Sequence, residues 1–224
     1  SLLFYWFKIS GKSRQIHAGS YQLETGLTPV LLLKKLVNGD VAMRSVTLIE
    51  GWNIGQVRAA LRNAPQLIPS SQGMTNAELM QALGLPSVHP EGQFFPDTYH
   101  YAKGSTDLAL LAQAQQAMTQ QLAAAWAARS PNASARNPNE ALILASIIEK
   151  ETGLGADRAM VSAVFNNRLR LGMRLQTDPT VIYGIGPKFN GNLKKVHLLT
   201  DTPYNSYTRV GLPPTPIAMP SKAA

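Results

Sequence analysis

The sequence predicts an α+β protein, with a small α+β unit over residues 1–48 followed by a larger mixed α/β unit over residues 49–224 whose helices pack on a short sheet. Three observations carry this reading. Alternation of apolar and polar residues is confined to short stretches near the start. From residue 50 onward, apolar residues recur at helical spacing behind recognisable caps. Short breaks rich in Pro, Gly and Asn separate the helical runs. With 224 residues, 45% hydrophobic and 15% charged, the chain can bury a sizeable core and is not of disordered composition.

Taken in order, residues 19–23 alternate like a strand, and Thr28-Pro29 opens an apolar helix over 30–37 that Asn38-Gly39 stops. Residues 41–49 alternate again, Val41, Met43, Ser45 and Thr47 against Ala42, Arg44, Val46 and Leu48, as in a half-buried strand. A unit this small is expected to pack on its neighbour. Asn53 caps a helix reaching Leu61, and Gln56 completes a capping box. Residues 75–83 form a short helix closed by Gly84 and Pro86. A loop of aromatics and turn formers spans 91–99, a long Ala/Gln/Leu helix 106–129, and a polar linker 130–139. An apolar helix beginning near Ala141 then ends in carboxylates. After a Gly-containing break, an amphipathic helix covers 157–171 with Val161, Val164, Phe165 and Leu169 as its core stripe. Its Asn166-Asn167 pair is costly in a helix without a hydrogen-bond partner. Residues 175–180 read as a polar strand, 190–206 as loop, and 211–216 as a rigid turn.

The formal net charge of +8 favours an acidic partner: nucleic acid, an anionic membrane surface or an acidic cell-wall polymer. The basic residues are scattered singly or in pairs such as Lys34-Lys35 and Lys194-Lys195, which disfavours nucleic acid. The lack of cysteine excludes disulfides, thiolate metal sites and cysteine nucleophiles. His17, His89, His100 and His197 are dispersed, with no spacing suited to a metal. There is no P-loop, dinucleotide fingerprint or nucleophile elbow, and no cofactor is expected. No apolar run approaches the roughly 18 residues that span a bilayer. The chain starts without Met and reads as a piece of something longer, from which a targeting or anchoring segment has been lost.

Two carboxylates stand out. Glu149 and Glu151 lie about 200° apart around a helix, so they cannot share a pocket. Glu151 follows Leu144, Ile147 and Ile148 on the apolar stripe, where lost hydration would raise its pKa and keep a proton available to a general acid. The alternative is a solvated Glu near a helix end; Glu149 reads as structural. On the expected strand, Gln176, Asp178 and Thr180 share one face suited to sugar hydroxyls and N-acetyl groups, although Asp178 before Pro179 also fits a turn. Tyr183 can stack on a sugar or fill a core, and Asn205, Ser206 and Tyr207 form a further polar-aromatic cluster. A carboxylate on an apolar helix opposite a polar strand suits proton transfer to a glycosidic oxygen.

Several blocks together resemble the YceG-like family of endolytic murein transglycosylases. They are Val46-Thr-Leu-Ile-Glu-Gly-Trp, Glu91-Gly-Gln-Phe-Phe-Pro-Asp-Thr-Tyr, Ala145-Ser-Ile-Ile-Glu-Lys-Glu-Thr, Val164-Phe-Asn-Asn-Arg-Leu continuing from Gly172 to Gly184, Thr202-Pro-Tyr-Asn-Ser-Tyr, and Gly211-Leu-Pro-Pro. The resemblance implies that Glu151, the second Glu of its block, is the catalytic residue of a lyase. Such an enzyme cuts the bond between N-acetylmuramic acid and N-acetylglucosamine, leaves 1,6-anhydro ends, and ends the growth of nascent strands. Gln176, Asp178, Thr180, Tyr183, Asn205 and Tyr207 would orient the substrate, with Glu91 and Asp97 holding the cleft wall. It further implies a LysM-like unit over residues 1–48, with peptidoglycan glycan strands and peptidoglycan synthases (penicillin-binding proteins) as partners. An N-terminal anchor in the bacterial inner membrane would leave this part in the periplasm. Ala218-Met-Pro-Ser departs from the family's usual Asn-Pro-Gly form, and the chain is expected to stop before the family's final strand and helix. The alternatives are a hydrolytic muramidase with Asp178 as second carboxylate, and a non-catalytic module that binds peptidoglycan or docks on a synthase.

Overall fold

The computed structural model describes all residues except 1, 10, 18–20, 22, 24, 40 and 41. Its first helix, α1 (Leu2–Ile9), falls where no element was expected. The strand expected over 19–23 lies largely outside the described residues. α2 (Pro29–Val37) starts as read: Thr28 Oγ1 accepts from the Leu31 N–H at 3.3 Å, and Pro29 occupies the first helical turn, where its missing N–H costs nothing. β1 (Met43–Thr47) follows, with Val46 turned to the core and its other side chains exposed.

α3 (Ile54–Asn63) carries the expected capping box, in which Asn53 Oδ1 accepts from Gln56 N–H and Gln56 Oε1 accepts from Asn53 N–H, each at 3.0 Å. α4 (Asn76–Ala82) has a second box between Thr75 and Glu78. The aromatic loop is shorter than the expected 91–99 and gives way to β2 (Thr98–Ala102), where no strand is expected from the sequence. β2 pairs antiparallel with β1, from Met43 opposite Ala102 to Thr47 opposite Thr98, so the sheet joins residues on both sides of position 48. α5 (Asp107–Ala127) lies on β2 and α3 on β1, which makes the protein α+β with helices on a two-stranded sheet. Leu48, Val57, Leu61, Leu79, Phe94 and Leu111 fill the core between them.

The second half is helical. α6 (Pro138–Glu151) packs against α5, against α7 (Arg158–Arg170) and against α8 (Asp178–Ile185); the short α9 (Lys195–Leu199) follows. Ile143, Leu144, Ile147, Ile148, Phe165 and Leu175 form a second core. Val164, read as part of the core stripe of α7, is 45% exposed; that helix is buried on the narrower face around Phe165. The buried C-terminal segment joins both cores: Ile217 enters the second and Met219 the first. Backbone bonds Gly51 N–H to Met219 O at 2.8 Å and Met219 N–H to Trp52 O at 2.7 Å fix it there. Among the described residues no helix is long and apolar enough to cross a membrane.

Candidate active site

α6 delivers Glu151. Asn137 caps the helix by accepting from the Glu140 N–H at 2.9 Å, and Pro138 starts it. From Leu142 to Leu144 and from Ser146 to Ile148 the helix is buried, wrapped by α5, α7 and α8, so the apolar stripe does not extend along one side only. Glu151 comes after this wrapping ends and is exposed. Its expected burial among Leu144, Ile147 and Ile148 is therefore not found. The buried carboxylate of this helix is Glu149, whose side chain is 6% exposed. It accepts from Arg158 Nη2 at 3.0 Å, from the Ser221 N–H at 2.9 Å and from Ser221 Oγ at 2.6 Å, clamping the C-terminal segment. Lys150 Nζ donates to Gly51 O at 3.3 Å, so the last turn is held on two sides before Glu151 emerges.

Among the described residues Glu151 has one hydrogen-bond partner: the Thr177 hydroxyl donates to Oε2 at 2.6 Å. Thr177 is itself 2% exposed. The strand expected over residues 175–180 does not form. Gln176 sits at φ 51°, a left-handed conformation that ends an extended run and is unfavourable for a residue with a Cβ. Pro179 then stands in the first turn of α8, with Asp178 beside it. Gln176, Asp178 and Thr180 consequently do not share one face: the first two are exposed and Thr180 is fully buried. Ser206 holds this corner. Its Oγ accepts from the Thr177 N–H at 3.0 Å and lies 2.8 Å from Thr180 Oγ1, while its carbonyl accepts from the Gln176 N–H at 3.1 Å. Arg168 donates to the Leu175 carbonyl from α7. The sequence expects Arg168 on a solvated face and Ser206 in a polar-aromatic cluster; the contacts that hold this corner form only between the folded elements.

Asp178 Oδ1 accepts from the Tyr207 hydroxyl at 2.6 Å. Burial first, then this hydrogen bond and the negative charges of Asp178 and Glu151, push the Tyr207 pKa up to about 12. Tyr207 thus remains a hydrogen-bond donor beside two carboxylates. Asn205 is 1% exposed and builds the loop rather than reaching out of it: Nδ2 contacts the carbonyls of His197 and Leu198 at 3.1 Å and of Thr200 at 2.6 Å, and Oδ1 accepts from the Tyr207 N–H at 2.9 Å.

Glu91 is 1% exposed, so it does not stand in a cleft wall open to a ligand. Oε1 accepts from the Ile54 N–H and Oε2 from the Tyr183 hydroxyl, both at 3.0 Å. Burial raises its pKa to about 7, against the lowering effect of the bonds from Tyr183, Ile54 and Gly92. Tyr183 is half-buried, its ring edge-on to Tyr204 at 4.9 Å, and burial together with the Glu91 charge pushes its pKa up. Asp97 is exposed at the entry to β2, where Oδ1 accepts from the Thr98 N–H at 2.7 Å. Asn166 answers to the linker: Oδ1 accepts from the Ser134 N–H and hydroxyl, both at 2.8 Å. Of the nine residues singled out in the sequence, Glu151, Gln176, Asp178 and Tyr207 stand together at the surface, with Thr177 between the two carboxylates. Among the described residues no group of three His, Cys, Asp or Glu could hold a metal.

The YceG-like family pattern matches residues 1–224. An endolytic murein transglycosylase of Bacillus subtilis is 31% identical over 231 residues, covering 96% of this chain and 63% of that protein. One from Streptococcus pneumoniae D39 is 27% identical over 254 residues, covering 98% of this chain and 45% of that protein. The chain thus spans less than two thirds of the length of these curated relatives. In three dimensions it is similar to a YceG-like protein of Listeria monocytogenes, with a TM-score of 0.63 and 25% identity, covering 99% of this chain and 78% of that one.

Proposed function

The chain belongs to the YceG-like family, and we propose that it is a lytic transglycosylase that cuts peptidoglycan glycan strands with Glu151 as the reacting group. The observation that carries the reading is the exposed Glu151 carboxylate, with its Oε2 fixed by the Thr177 hydroxyl at 2.6 Å, at a polar surface corner. That bond leaves Oε1 to face a substrate. Glu151 gives a proton from Oε1 to the oxygen linking N-acetylmuramic acid to N-acetylglucosamine, and the C1–O bond breaks. The muramoyl C6 hydroxyl then attacks C1, its proton returns to Glu151, and a 1,6-anhydro ring closes without water. One carboxylate serves as acid and then as base, unlike the paired carboxylates of glycoside hydrolases. Tyr207, held as a donor on Asp178, and the Gln176 amide are placed to orient sugar hydroxyls and N-acetyl groups. The positive net charge suits a polymer bearing lactyl and peptide carboxylates.

Digestion of purified sacculi with mass analysis of the products tests this. The reading expects anhydro ends, one water lighter than hydrolysed ends, and their loss in Glu151→Gln. Hydrolysed ends that vanish in Asp178→Asn would make the protein a muramidase, and undiminished activity of Glu151→Gln would overturn the assignment of residue 151. The same reading includes a LysM-like unit before residue 49, a bacterial inner-membrane anchor with this part in the periplasm, a strand-terminating role, and peptidoglycan synthases as partners. These extensions are supported by the family resemblance.

A further inference from the structure

The buried carboxylate of Glu91 lies outside the proposed reaction, yet it is tied to the helix that presents the Thr177 corner. On the reading that Glu151 is the reacting group, we propose that Glu91 is a positioning residue: through the Tyr183 hydroxyl it holds α8, and with it the Thr177–Asp178 corner at the head of that helix, against Glu151.

The geometry is that of a bridge between the two cores. Oε1 takes the N–H of Ile54, the first residue of α3, where the partial positive charge of a helix start favours an anion. Oε2 takes the hydroxyl of Tyr183, in the middle of α8, 3.0 Å away. The backbone of Glu91 cannot drift. Gly92 holds φ 77°, and a Cβ there would come within 2.5 Å of Pro216 Cβ. On the far side, Tyr183 is backed by the Tyr204 ring, whose hydroxyl lies 2.8 Å from Thr215 Oγ1. Tyr183 therefore has little freedom except along the bond to Glu91. A carboxylate is the one side chain of this size that accepts from both donors at once. Its burial is unfavourable, and an apolar residue would join the cores with less desolvation. A role in fixing α8 accounts for keeping it.

Protonation alters the bridge. A neutral carboxyl turns one oxygen into a donor, and the Tyr183 contact must then reorganise. Burial places this change at about pH 7. The titratable groups around Glu91 are Tyr183 from α8, Tyr204 behind it, and His89, whose Nδ1 accepts from the Glu91 N–H at 3.2 Å. Burial and the Glu91 charge push the Tyr183 pKa up, so its hydroxyl stays neutral near pH 7, and burial lowers the His89 pKa from 6.5, away from the Glu91 transition.

The test compares the parent with Glu91→Gln, Tyr183→Phe and His89→Asn from about pH 5.5 to about pH 8.5, scoring anhydro-end formation on purified glycan strands. Glu91→Gln accepts at one atom and donates at the other, so it copies the protonated bridge. Above neutral pH its kcat should fall about tenfold with KM within about twofold, as expected for a misplaced corner, and the limb near pH 7 should disappear. Tyr183→Phe should lose the same limb, the double variant should be no slower than either single one, and His89→Asn should keep it. Amide hydrogen exchange at residues 175–178 provides a readout independent of turnover. After correction for intrinsic rates, exchange in the parent should quicken below pH 7 and in Glu91→Gln should be quick throughout. Inactivity of the parent on glycan with this exchange pattern intact would count against the proposed reaction alone. A parent-like pH profile and parent-like exchange in Glu91→Gln, or a limb that follows His89, would overturn the role of Glu91.

Discussion

Replacing Glu91 by Gln should change how stability depends on pH by an amount the structure fixes. The carboxyl is 1% exposed, so solvent screening gives it little relief, and burial lifts its pKa from the ordinary 4.5 to about 7. Below pH 4.5 the group is protonated in folded and unfolded chains alike, and the native state bears no penalty from it. As pH rises, the unfolded chain releases its proton first, and native stability falls until the pH passes the folded value of about 7. Each pH unit between the two values is worth about 1.4 kcal/mol, so the loss accumulates to about 3 kcal/mol by about pH 8. Glutamine has nothing to ionise and avoids this loss. Glu91→Gln also replaces an acceptor at Tyr183 by a donor, and that change offsets its stability by a constant amount. The pH-dependent part of the difference between parent and variant isolates the buried charge. Urea unfolding at a series of pH values, with slopes checked for constancy, measures it. The expected result is a variant that gains about 3 kcal/mol on the parent between about pH 4.5 and about pH 8. A difference that stays flat to within about 0.5 kcal/mol over that range would refute the claim that Glu91 is a buried, ionising carboxylate.

Other perturbations address the frame around the corner. Glu149→Ala leaves Arg158, its side chain 13% exposed, without its carboxylate and frees Ser221; a loss of about 3–5 kcal/mol is expected in thermal or urea unfolding. Gly92→Ala puts a Cβ 2.5 Å from Pro216 Cβ at a positive φ, and should destabilise by about 2 kcal/mol or more, with faster proteolysis near residues 216–219. Thr177→Val removes the donor to Glu151 with little change of shape. Its kcat on glycan strands should fall about tenfold, the worth of one hydrogen bond, with an unchanged melting temperature.

The helices legible in the sequence are those whose ends are set by neighbours in the chain. Thr28-Pro29, Asn53 with Gln56, and Thr75 with Glu78 each close a cap within three residues, so sequence and structure agree on them to within a residue or two. β2 was missed although Thr98, Tyr99, His100 and Tyr101 alternate, because its partner lies at residues 43–47, about half a hundred positions away, where no local signal reaches. The error over residues 175–180 has the same origin. Polar alternation there is real, but Ser206, brought in from the loop after α9, fixes the backbone at Gln176 and Thr177, and Pro179 then starts a helix. Polar composition singled this segment out, while its geometry was decided elsewhere.

The two acidic residues of α6 show how far a helical wheel can go. The 200° between them was sound, and it correctly gave them separate surroundings. Which surroundings each received depended on how far the helix is covered, and here coverage stops after Ile148 on the side of residue 151 while Arg158 and Ser221 close over residue 149. In the proposed reaction Glu151 therefore begins in water, and its oily neighbours do not supply the desolvation that proton transfer to a glycosidic oxygen calls for. The glycan must bring that itself, by laying its rings over Oε1 while the Thr177 hydroxyl keeps Oε2 in place. It follows that the length of strand bound should act on kcat as well as on KM, because remote sugars contribute to covering the carboxylate. Kinetics on muropeptide chains of increasing length measure this: a kcat that does not change once a single disaccharide is bound would mean that the covering group belongs to the protein.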